Sequence, residues 1–116
     1  AAGKKMPIHD EWGHDPSVQS MRRVFSHMEK AQNELLRNLK ISFSDQRLRR
    51  GREQALKLFE RVWPLAARKG ITESDEDAAL LYIHCLANGL SLNGISIPRE
   101  VLPQHERISS FLKEEL

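Results

Sequence analysis

The sequence predicts an all-α fold, a four-helix bundle-like domain with a buried third helix. Three observations carry this reading. Apolar residues recur at three- and four-residue steps along two long stretches, a third stretch is apolar on nearly every side, and helix start and stop chemistry separates them. At 116 residues there is room for one domain and one core. Apolar residues make up 40% of the chain and charged residues 29%, which argues against wholesale disorder; at 6% aromatics, the core falls to Leu, Ile, Val and Ala.

Residues 1–15 mix Gly3, Pro7, Gly13 and charges without periodicity, so they read as a flexible N-terminal tail ahead of a single helical domain over 16–116. Asp15-Pro16 starts the first helix: Asp accepts from free backbone N–H groups, and Pro in the first turn has no N–H to waste. Val18, Met21, Phe25, Met28, Leu35 and Leu39 then form a narrow seam, broken once by Gln32, which predicts a helix over 16–40. Ser44 or Asp45 caps the second helix, over 44–69, whose inward face is Leu48, Ala55, Leu58, Phe59, Val62, Leu65 and Ala66. Pro64 inside it predicts a kink or two abutting helices, since it removes one backbone bond and crowds the carbonyl of Glu60. Arg68-Lys69-Gly70 is a conventional finish.

Thr72 or Ser74 caps the third helix, and Glu73, Asp75, Glu76 and Asp77 crowd its positive end. From Ala78 the run is apolar all round, so this helix is the central one, and Asn88-Gly89 is read as its stop. Residues 90–97 alternate about Asn93-Gly94, the pattern of a short β-hairpin or, failing that, of a loop whose Leu and Ile side chains plug the core. Pro98 begins a short turn, and a last helix over 103–115 turns Ile108, Phe111 and Leu112 inward.

Charge is the sharpest functional hint. Residues 1–70 carry 15 Lys/Arg against 8 Asp/Glu; residues 71–116 carry 3 against 8, so the halves are +7 and −5. The basic excess is densest at Arg47-Leu48-Arg49-Arg50-Gly51-Arg52, at the start of a helix, where the macrodipole already places partial positive charge. Cations set against that field call for a partner. Arg22, Arg23 and Lys40 extend the patch if the first two helices pack antiparallel. Such a surface suits an acidic protein, because guanidinium forks onto carboxylates, and also allows nucleic acid through phosphate contacts. Interleaved aromatic stacking platforms are missing, since Phe25 and Phe43 fall at apolar positions. The dull alternative is that these are solvated side chains, some of them paired with the acidic residues of the third helix.

Other clusters are weaker. His9, Asp10, Glu11, His14 and Asp15 lack thiolates and a rigid frame, so no metal site is expected. His84-Cys85 cannot act as a dyad on a helix, where neighbours point about 100° apart, and Cys85 reads as a small buried hydrophobe. Trp12 either folds back on its own domain or anchors a partner. A lone cysteine excludes an internal disulfide, which makes the cytoplasm the expected compartment. No stretch is apolar enough to span a membrane, and no secretory leader pattern opens the chain. Together these features predict a non-catalytic interaction module without cofactor, an adaptor, regulatory or chaperone-like helical domain. It binds an acidic partner through Arg47, Arg49, Arg50 and Arg52, joined by Arg22, Arg23, Lys40 and Trp12. Nucleic acid is the alternative ligand, and the seam of the first helix also allows self-association.

Overall fold

The computed structural model describes residues 18–116, with side chains from Arg22 onward; the predicted tail, Trp12 and the Asp15-Pro16 start lie outside the described residues. Four helices follow in order, α1 (Val18–Leu39), α2 (Gln46–Arg68), α3 (Asp75–Leu92) and α4 (Glu106–Glu115), with no strand among the described residues. The fold is all-α, as the periodicity predicts.

α3 is the centre. Ala78, Ala79, Leu81, Tyr82, Ile83, His84, Cys85, Leu86, Gly89 and Leu90 are all buried, and α1, α2 and α4 each pack against it. Direction follows from paired residues. Arg23 meets Asp75 and Gln32 meets Tyr82, so α1 runs parallel to α3; Gly51 meets Gly89 and Phe59 meets Tyr82, so α2 runs antiparallel. α1 and α2 pack on α3 far more than on each other.

α1 corrects the predicted seam. Val24, Met28, Leu35 and Leu36 are buried, whereas Phe25 is 45% exposed. The buried stripe keeps Met28 and Leu35 of the predicted seam and departs from it at Phe25, whose inward place is taken by Val24. Gln32, the apparent interruption, is buried at 5% exposure and its Oε1 accepts from the Tyr82 hydroxyl. It is a specific polar contact inside the core.

α1 ends in a Schellman turn. Ile41 N donates to Leu36 O at 3.3 Å and Lys40 N to Arg37 O at 3.2 Å, with Lys40 held at φ 56°. That is the only positive φ at a non-glycine residue among the described residues, and it costs a side-chain-bearing residue about 1 kcal/mol. Lys40→Gly is therefore expected to stabilise the fold by roughly 0.5–1 kcal/mol, read as a raised urea midpoint at unchanged m-value.

Asp45 caps α2, accepting from Arg47 N at 2.9 Å. Pro64 is buried within one continuous 23-residue helix, so of the two expected outcomes, a kink or two abutting helices, the second does not occur. Packing of the ring in the core compensates the single backbone bond it removes. Gly70, at φ 71°, closes a second Schellman turn through Ile71 N to Ala66 O at 2.9 Å.

Ser74 caps α3, accepting from Asp77 N at 3.1 Å, while Asp77 Oδ2 in turn accepts from Glu73 N at 3.1 Å. The helix does not stop at Asn88-Gly89. It passes through both to Leu92, because Gly89 is where α2 and α3 come closest: a Cβ there would lie 2.4 Å from the Gly51 carbonyl oxygen. The stop is Asn93-Gly94, with Gly94 at φ 87° and Ile95 N donating to Leu90 O at 2.9 Å. The first arm of the anticipated hairpin is thus the last turn of α3, and Ile95 alone of the second arm is fully buried. A turn over 98–102 leads to α4, which begins later than predicted, with His105 as its cap. Ile108, Phe111 and Leu112 face inward as expected.

Candidate partner-binding surface

Antiparallel packing of α2 on α3 puts the arginine-rich start of α2 beside the end of α3, through the Gly51–Gly89 contact. Gln54 fixes the same junction, accepting from Asn93 Nδ2 at 2.6 Å. The short connection over 40–45 brings the end of α1 there too. One end of the molecule therefore gathers the C-termini of α1 and α3 around the N-terminus of α2. The negative ends of two helix dipoles offset the positive end of the third, a compensation invisible when α2 is read alone.

The four arginines are not equivalent. Arg47 forks onto Asp45, with Nε 3.2 Å from Oδ1 and Nη2 2.8 Å from Oδ2, so it is spent on the helix cap. This guanidinium holds the Asp45 carboxyl below the usual carboxylate range. Arg52 is exposed, yet its guanidinium lies close enough to the Tyr82 hydroxyl to counteract part of the upward push that burial gives the phenol. The side chains of Arg49 and Arg50 are exposed and make no ion pair or hydrogen bond to any described residue.

Lys40 stands exposed at the same end. Arg22 and Arg23 do not. They sit at the opposite end of α1, about 24 Å away along its axis, and Arg23 Nε is bound to Asp75 Oδ2 at 3.1 Å. The anticipated extension of the patch through these two residues is therefore not formed: α1 lies parallel to α3, so its start meets the acidic start of that helix. Trp12 lies outside the described residues.

Internal cover by residues 73–77 reaches Arg23 and none of the α2 arginines. Asp75 is bound to Arg23 and Asp77 to the backbone of Glu73. The antiparallel arrangement holds this acidic cluster about 21 Å from Gly89, measured along α3.

Two apolar residues missed by sequence reasoning complete the surface. Phe43, in the α1–α2 connection, is 62% exposed, and Leu92, the last residue of α3, is 68% exposed. An aromatic flanked by serines in so short a connection has no element to carry it inward. Phe43 is exposed for that reason, against the expectation that it joins the core.

The remaining candidates are inert. Cys85 is fully buried and its thiol is pushed up to about 12 by desolvation, so no thiolate is available for chemistry. No group of three metal-ligating side chains occurs among the described residues, and the His9 to Asp15 cluster lies outside them. No described helix is long and apolar enough to cross a membrane. Models of known families, curated proteins and solved structures were all compared with the chain, and none matches.

Proposed function

We propose that this chain is a non-catalytic, cytoplasmic interaction module that takes an acidic protein segment on the end formed by the start of α2, the α1–α2 connection and the end of α3. The observation that supports this reading is the pairing of chemistries there. Arg49 and Arg50 have no carboxylate partner among the described residues, while Phe43 and Leu92 stand exposed at the same end of the molecule. Guanidinium forks recognise carboxylates bidentately, and an exposed aromatic supplies the apolar anchor that charge pairs alone do not. A fitting ligand carries Asp or Glu interspersed with aliphatic residues.

Nucleic acid is the second reading, and exposed Phe43 favours it by offering a stacking face among cations. The near-neutral total of +2 weighs against it. Self-association is a third, with the −5 half of one copy acting as the acidic ligand of another.

Fluorescence anisotropy separates the first two. A labelled Glu- and Leu-rich peptide, mixed-sequence duplex DNA and single-stranded DNA are titrated at about 50 and 200 mM salt. The expected result is binding of the peptide in preference to either DNA, weakened roughly tenfold or more by Arg49→Glu/Arg50→Glu, with thermal stability unchanged. Tighter binding of DNA with a steep salt dependence replaces this reading with the second. Equal peptide affinity in the double variant removes these arginines from the site.

A further inference from the structure

Two histidines meet at the segment between α3 and α4: His84 is buried beneath it, and His105 caps α4. His84 is 9% exposed, and its Nε2 has no hydrogen-bond partner in the described structure. Its polar surroundings are the carbonyl of Pro103 and the ring of His105. His105 Nδ1 accepts from Ile108 N at 3.3 Å and so caps α4, a helix of only ten residues. A protonated imidazole has no acceptor nitrogen, so that cap is lost on protonation. A charge on His84 has to be carried in a buried position and next to a second histidine.

We propose that His84 and His105 form an acid-released latch, which fastens the 95–105 segment and α4 onto α3 at neutral pH and frees them when the two rings gain protons. What is freed is apolar. Ile108, Phe111 and Leu112 leave the core, and Val101 and Pro103 leave the groove they share with Ala31, Leu35, Leu80 and Ile83, a space of about 280 Å³.

The charged groups around the latch do not neutralise it. α1 turns Glu34 and Arg37 toward that groove, His27, Lys30 and Glu76 line an adjoining pocket that also reaches Pro103, and the segment itself carries Arg99 and Glu100. α4 carries Glu106 and Arg107, with Arg107 directed at the Gly70 carbonyl, and α2 turns Lys69 onto the Phe111 ring and Arg61 onto Glu115. None of these makes an ion pair with either histidine in the described structure. Burial holds the folded His84 ring below the ordinary histidine value. The open form therefore binds protons more readily, so the latch is at full strength above about pH 6.5 and weakens as pH falls through that value.

Amide hydrogen exchange on the full chain, corrected for intrinsic rates, tests this at about pH 7.5 and 5.5. Protection over 106–115 is expected to fall at least tenfold at the lower pH, while α2 and the middle of α3 keep theirs. His105→Asn, which caps without titrating, is expected to shrink that fall, and His84→Leu/His105→Asn to abolish it. Unchanged protection of α4 in the parent chain overturns the proposal. So does an equal loss in α3, which signals global unfolding, or a full-sized fall that persists in His105→Asn.

Discussion

Gly89→Ala is expected to destabilise the domain by about 2–3 kcal/mol, a drop in melting temperature of roughly 10 °C. Intrinsic helix propensity predicts the opposite sign, since alanine is favoured over glycine in a helix interior by about 1 kcal/mol. Sterics decide the outcome. The new methyl would lie 2.4 Å from the Gly51 carbonyl oxygen, with the Gly51 carbonyl carbon and Cα at 3.1 and 3.2 Å. These are backbone atoms, so no side chain can swing away, and α2 has to move off α3 along a contact that includes Leu48, Ala55, Phe59, Leu86 and Leu90. Gly51→Ala is expected to cost less. Its nearest obstacle is the Leu90 Cδ2 at 2.7 Å, the end of a flexible side chain, although Leu90 N at 3.1 Å limits how far relaxation goes. Urea denaturation of both variants checks the order; a neutral or stabilising Gly89→Ala contradicts the close approach. Because the same contact seats Arg50 and Arg52, Gly89→Ala also disturbs the proposed surface.

The second large effect concerns the buried bond between Tyr82 and Gln32. Tyr82→Phe leaves the Gln32 Oε1 in a buried site without a donor, and Gln32→Met leaves the Tyr82 hydroxyl proton without an acceptor. Each single change is expected to cost about 1–3 kcal/mol, the usual penalty for stranding a desolvated polar group. The double variant replaces both partners with apolar groups and is expected to cost at least 1 kcal/mol less than the sum. A complete cycle of denaturation curves gives the coupling directly. Strict additivity contradicts a specific contact.

Much of the fold was legible because its signals are local. Asp45 two residues before Arg47, Ser74 before three acids, and Arg68-Lys69-Gly70 all declare helix ends within one turn of chain. The continuous apolar run of α3 likewise marks it as central. What was not legible depends on partners far away in sequence. Asn88-Gly89 looks like a stop until Gly51, 38 positions earlier, supplies a backbone that needs the missing side chain. Gln32 looks like a flaw in a seam until Tyr82 appears opposite it.

The start of α1 was misjudged for a related reason. Met28 and Leu35 keep their places in the predicted seam, but packing on α3 buries Val24 and turns Phe25 out. Among the site residues, Arg47 had its partner in plain view at Asp45, whereas the capture of Arg23 by Asp75 depends on α1 running parallel to α3. The sequence also overstated the dipole conflict, since it could not show two helix C-termini converging on the start of α2.

The exposed arginines at the head of α2, with Phe43 and Leu92, are expected to receive an acidic ligand. Mapping amide shift changes on isotope-labelled protein during titration with the Glu- and Leu-rich peptide tests it most directly. The account predicts that the largest changes fall over residues 43–54 and at the end of α3, and that they disappear with Arg49→Glu/Arg50→Glu. Changes concentrated on the groove between α1 and α3, or on α4, with residues 43–54 unmoved, would contradict it.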